Sequence, residues 1–296
     1  MRRTGAAAAG AVAALSVVLA GCSATTSEPP IVVSHLHAVD IDDESGDIYL
    51  ATHEGILRAT VESGADDVRV GGVGSVERLG AWRGDVMGMA RLDDTIYLSG
   101  HPAPDTDAPM NIGVYTTDRS GAEFASLALE GDADFHSMAV MAAADGSTAL
   151  AGIDSVTGRV VVSRDGGATW SAGAALGARS VSWDADAEHL FATTEQGLQV
   201  SIDDGATFTL VDSAPVLLLI SAPPPSTPTG GLLMGLDLDG RVHLSADGET
   251  WTPAGLAPPG TEAIAVGRRG TLVAAGLDGV HRSDDRGATW SIVAEF

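Results

Sequence analysis

Ser163-Arg164-Asp165-Gly166-Gly167-Ala168-Thr169-Trp170 decides the fold, because versions of it return along the chain. Ser201-Ile202-Asp203-Asp204-Gly205-Ala206-Thr207-Phe208 and Ser283-Asp284-Asp285-Arg286-Gly287-Ala288-Thr289-Trp290 are close copies. Ser245-Ala246-Asp247-Gly248-Glu249-Thr250-Trp251 is one residue shorter, and a looser copy runs from Thr116 through Asp118 and Gly121 to Phe124. The spacing of roughly 40 residues is that of propeller blades. Each copy follows a short alternating run such as Gly158-Arg159-Val160-Val161-Val162, so it reads as the turn between two strands. Ser and Asp oxygens accept from turn amides, Gly supplies positive φ, and the terminal aromatic packs beside the turn. Such a repeat is a strong signal for architecture and a weak one for chemistry, since a motif present in many blades does not mark one site.

Six units superpose around these turns. Their first strands are visible at His37-Ala38-Val39, Met87-Gly88-Met89, His136-Ser137-Met138, Val181-Ser182-Trp183, Leu217-Leu218-Leu219 and Ala263-Ile264-Ala265. Their second strands are centred on Ile48 to Ala51, Ile96 to Leu98, Ala149 to Ala151, Leu190 to Ala192, Leu232 to Met234 and Leu272 to Ala274. Small and apolar residues dominate them, as in strands covered on both faces. The expectation is an all-β propeller of six blades, or seven if the long first unit divides. Ala222 to Pro228, rich in proline, is expected to be a surface loop between the first two strands of blade five.

The chain of 296 residues carries 16 Lys and Arg, all of them Arg, against 40 Asp and Glu, a net charge of −24. This balance disfavours nucleic acid as a partner and favours cationic, metal or neutral ligands. Residues 1–21 read as a lipoprotein signal peptide: Met1-Arg2-Arg3 is basic, Ala6 to Val18 is apolar, and Leu19-Ala20-Gly21-Cys22 has the form of a lipobox. Cys22, the single cysteine, is the expected lipidation site and implies neither a disulfide nor a thiol catalyst. Residues 22–30 form the lipidated end and a tether, and 31–296 the propeller domain. The expected product is a monomer outside the cytoplasm of a bacterium, anchored in the membrane through Cys22.

In a propeller, the starts of the innermost strands and the turns between second and third strands open on one face around the channel. There the first three units read His35-Leu36-His37, Asp85-Val86-Met87 and Asp134-Phe135-His136. The turns add His53, His101 and Glu195, whereas units five and six place Leu238 and Leu277 where unit one has His53. Polar residues therefore gather on one side of one face. Five of the eight histidines belong to this group: His35, His37, His53, His101 and His136. With Met87, Asp85 and Asp134 they have the composition of a metal site. Imidazole suits copper or zinc, and a thioether favours copper. The other histidines, His189, His243 and His281, read as structural. If the face is instead enzymatic, a glycoside hydrolase needs two carboxylates across a pocket, which Asp85, Asp134, Glu54 and Glu195 could supply, with Asp134, Glu195 and Asp85 the catalytic candidates.

The repeated octapeptide resembles the Asp-box, or bacterial neuraminidase repeat, a family of propeller turns that includes the sialidases. That resemblance implies sialidase chemistry only if an arginine triad and a tyrosine nucleophile accompany it. No Phe/Tyr-Arg-Ile-Pro segment is present, Tyr49, Tyr97 and Tyr115 fall within expected strands, and only Arg78, Arg83 and Arg179 are candidates to reach the face. A narrower likeness rests on His35 to His37, Ala51 to Ile56, Gly100 to Pro102 and Asp134 to His136. This pattern resembles bacterial Asp-box lipoproteins described as glycosylhydrolase-like or sortilin-like, and it implies a propeller on the cell surface with a histidine-rich face. Three functions follow as expectations: a pocket that binds a small ligand or metal ion, a glycoside hydrolase acting on glycans, or a scaffold that docks an envelope protein.

Overall fold

The computed structural model describes residues 1, 31–61, 74–104, 106–224 and 231–296. The signal peptide, Cys22 and the tether lie outside the described residues, as do residues 225–230 of the proline-rich insert. The unit Ile31–Phe296 is a six-bladed β-propeller, and no helix occurs among the described residues.

Each blade is a four-stranded antiparallel sheet built from consecutive strands. Blade one holds β1 (Leu36–Ile41), β2 (Ile48–Thr52), β3 (Gly55–Thr60) and β4 (Ser75–Arg78). Blade two holds β5 (Val86–Leu92), β6 (Thr95–Gly100), β7 (Val114–Asp118) and β8 (Ala125–Ala128). Blade three holds β9 (Phe135–Ala142), β10 (Thr148–Asp154), β11 (Arg159–Ser163) and β12 (Ser171–Ala175). Blade four holds β13 (Ser180–Trp183), β14 (Leu190–Thr194), β15 (Gly197–Ser201) and β16 (Thr209–Leu210). Blade five holds β17 (Leu217–Ser221), β18 (Leu233–Asp237), β19 (Arg241–Ser245) and β20 (Trp251–Leu256). Blade six holds β21 (Thr261–Val266), β22 (Leu272–Gly276), β23 (Gly279–Ser283) and β24 (Ser291–Ala294).

The octapeptides join the third and fourth strands of blades three, four and six, and the seven-residue copy does so in blade five, as their residue types require. Ser163 Oγ donates to Asp165 Oδ1 at 2.8 Å and accepts from the Gly167 amide at 2.9 Å. Asp165 then accepts from both the amide and the hydroxyl of Thr169. These hydrogen bonds to the charged form hold the Asp165 carboxyl down at about 2. Asp203 and Asp285 make the same four-residue brace.

The aromatic at the end of each turn serves tertiary structure as well. Six apolar clusters fill the six interfaces between neighbouring blades, and Phe124, Trp170, Phe208, Trp251 and Trp290 each pack into the one behind their own blade. The sequence of blade one carries no copy of the octapeptide. Its interface with blade six is closed by aliphatic residues, among them Leu36, Ile48, Leu57, Val273 and Val293, with Ile31, Val33 and Phe296 at the margin. The ring thus closes face to face, because no strand of the first sheet comes from the last. The innermost strands line a narrow channel. Asp40 and Arg91 pair inside it at 2.9 Å, and Arg91 also donates to the Ile41 carbonyl.

Candidate functional site

The channel mouth is shaped by a repeated irregularity that strand alternation does not announce. In β1 the ladder jumps from Leu36 opposite Thr52 to Ala38 opposite Ala51, which leaves His37 as an extra residue. The same β-bulge falls on Met87 in β5, His136 in β9, Leu218 in β17 and Glu262 in β21. A bulge re-aims the side chain of the extra residue. Here it turns one side chain toward the mouth in every blade but the fourth, whose first strand is regular, and His37, Met87, His136, Leu218 and Glu262 line a common cleft of about 730 Å³.

The turns above them supply the rest. Thr52 Oγ1 donates to the Gly55 carbonyl and accepts from the Glu54 amide, so Thr52-His53-Glu54-Gly55 is a tight hairpin with His53 exposed at its tip. Thr194-Glu195-Gln196-Gly197 is built the same way and presents Glu195. In blade two Gly100 has φ of +143°, and a Cβ there would lie 2.2 Å from the Asp85 carbonyl. Only glycine permits that approach, which lets the His101 amide donate to the Asp85 carbonyl at 2.9 Å.

Two three-residue groups result, each with donor atoms within 4.8 Å of one another: His37, His53 and Asp85 where blades one and two meet, and His101, Asp134 and His136 where blades two and three meet. In the first, the rings of His37 and His53 stack at 4.8 Å. His37 Nε2 stands 3.6 Å from Asp85 Oδ1, and both atoms are buried without a hydrogen-bond partner among the described residues. Burial, reinforced by His35 and His53, drives His37 down to about 4, so its ring is neutral. Burial also pushes the Asp85 carboxyl up, against the pull of the nearby His53 and His101.

In the second group, Asp134 Oδ2 accepts from His136 Nε2 at 2.8 Å and from Ser155 Oγ at 2.6 Å. Burial alone would raise this carboxyl, but the hydrogen bonds outweigh it and hold Asp134 below its usual range. The same contact lifts His136.

The residues expected at this face divide into several roles. His35 stands beside the first group, edge-on to His37 at 4.7 Å, with Nδ1 held by Glu262 Oε1 at 3.2 Å. Met87 and Glu195 line the cleft, as does Arg179. Arg83 turns away to the Gly80 and Trp82 carbonyls, and Arg78 lies in β4. His189 and His243 are occupied by Asp184 and Asp237. Glu262, which braces His35 and accepts from the Leu36 amide, is not among the residues expected at this face, although Gly260-Thr261-Glu262 stands at the start of blade six's first strand as His35-Leu36-His37 does in blade one.

No protein-family model and no curated protein matches the chain. Solved structures do resemble it. A GH74 xyloglucanase from Xanthomonas campestris superposes with a TM-score of 0.52 at 17% identity over 87% of this chain and 45% of that one. An ancestral GH74 enzyme gives 0.52 at 15% identity over 90% and 39%. The WD40 propeller domain of Doa1 gives 0.53 at 11% identity over 88% and 82%. The chain therefore spans less than half the length of the two GH74 structures. At such identities the likeness is one of fold, the β-propeller.

Proposed function

We propose that this chain is a metal-binding propeller, and that His37, His53 and Asp85 hold a copper or zinc ion at the channel mouth. The observation that carries the reading is the pair of orphaned atoms, His37 Nε2 and Asp85 Oδ1. A buried acceptor or charge without a partner is costly, and a cation between the two would satisfy both. Two imidazoles and a carboxylate suit zinc and copper. Met87 on the same cleft provides a thioether, which favours copper. A lipid anchor at Cys22, read from the lipobox, would hold the propeller outside the bacterial membrane, where such an ion is met.

The glycoside hydrolase alternative draws on Glu195, which shares the cleft. It is weakened by Asp85 and Asp134, each of which sits in a histidine group rather than free across a sugar bond. Elemental analysis of the purified chain, followed by copper and zinc titration in a calorimeter, tests the metal reading. Wild type is expected to bind metal, with His37→Ala and Asp85→Asn losing it at this site. A wild-type chain that takes up neither ion overturns the proposal.

A further inference from the structure

We infer that the mouth is a two-ion centre, with a second transition-metal ion held by His101, Asp134 and His136. This rests on the reading of the first triad as a metal site and adds a second, independent one. Asp134 is only 5% exposed, and its carboxylate is used unevenly. Oδ2 takes the hydrogen bonds of His136 and Ser155, whereas Oδ1 is buried with no partner among the described residues. Asp134 thus keeps one buried oxygen unpaired, as Asp85 does, while its Oδ2 is the oxygen nearest His101 and His136.

His101 supplies a separate argument. Its Nδ1 lies 3.0 Å from the Met110 carbonyl, and a carbonyl only accepts, so Nδ1 carries the proton. In the neutral ring, Nε2 then presents a lone pair. That lone pair lies 3.9 Å from Asp134 Oδ2, an acceptor facing an acceptor. Metal-ligating histidines are oriented in this way, with the far ring nitrogen donating to a backbone carbonyl.

The other histidine–carboxylate pairs of the chain serve as internal controls. His189 with Asp184 and His243 with Asp237 are hydrogen-bonded at 2.6 and 2.8 Å, as His136 is with Asp134 at 2.8 Å. Neither control pair has a third donor, and neither leaves an orphaned atom among the described residues.

Zinc stoichiometry of the full chain, purified in detergent and stripped with chelator, tests this. Calorimetric titration and metal analysis after gel filtration are expected to give two ions per chain for wild type. His37→Ala/His53→Ala and His101→Ala/His136→Ala should each retain one, and the conservative Asp134→Asn should lose or weaken only the second. Thermal midpoints in chelator, equal to wild type, establish that the variants fold. A wild-type stoichiometry of one, with that ion kept by His101→Ala/His136→Ala, overturns the two-ion inference and leaves the proposed function standing. A wild-type stoichiometry of one, with that ion lost in both double variants, also overturns it, because both triads would then share a single ion. No zinc or copper uptake at all overturns both.

Discussion

His37 Nε2 and Asp85 Oδ1 face each other at 3.6 Å across the junction of blades one and two, both buried and neither hydrogen-bonded. The pairing is too long for a hydrogen bond. It keeps two costly groups side by side in the metal-free protein, an arrangement common at sites where function opposes stability.

Asp85→Asn is accordingly expected to leave the metal-free protein as stable as wild type, or more stable by about 1 kcal/mol, while abolishing metal binding at the first triad. Urea unfolding in chelator, beside a zinc titration, checks both halves. A loss of several kcal/mol would show Asp85 to be a structural residue instead.

Glu262→Gln should act through His35. The amide oxygen can still accept from the Leu36 amide, which Glu262 binds at 2.8 Å, but the carboxylate beside His35 is lost. Groups that orient a metal site from behind are worth about 10- to 100-fold in affinity. The expected result is a zinc affinity weakened by roughly tenfold at unchanged stoichiometry, read by calorimetry.

In the channel, burial pushes Asp40 up to about 6 from its usual value of 3.8, although Arg91 pulls the other way. The folded state thus holds the Asp40 proton more tightly than the unfolded state does. Its contribution favours folding below about pH 4 and is lost as pH rises through about 6. Asp40→Asn should remove that component, so that stability measured by urea from pH 4 to 6 falls less steeply than in wild type. Parallel curves would refute the assignment.

Glycines separate local from interblade cost. A Cβ on Gly166 would meet nothing within 4 Å, so Gly166→Ala bears only its φ of +72°, a cost of about 1–2 kcal/mol. A Cβ on Gly255, in the outer strand of blade five, would lie 1.9 Å from the Gly287 carbonyl oxygen in the turn of blade six. Backbone must move there. Gly255→Ala is expected to cost about 3 kcal/mol or more, and comparison of urea midpoints for the two variants decides it.

Blade order, strand placement and the octapeptide turns were legible because each depends on neighbours in sequence. Ser163, Asp165, Gly167 and Thr169 close their turn among themselves, and the aromatic that follows sits wherever the turn puts it. The histidine-rich face was legible in outline for the same reason, since register repeats from blade to blade. What alternation misread was direction. Residues two apart on a regular strand share a face, but the bulges at His37, Met87 and His136 break the alternation there.

By itself, then, the amino-acid sequence determined the propeller, the position of its braced turns and the blades that carry polar mouths, because turn chemistry and strand periodicity act over a few residues. Tertiary structure alone decided that His37 and His53 meet Asp85 from the next blade, that His101 meets Asp134 and His136, and that Glu262 reaches back to His35. Glu262 also holds the Leu36 amide, 226 positions away, and closure of the ring brings such residues together. Which atoms remain without partners is a property of that closed ring, since an orphaned donor or acceptor is defined by everything packed around it.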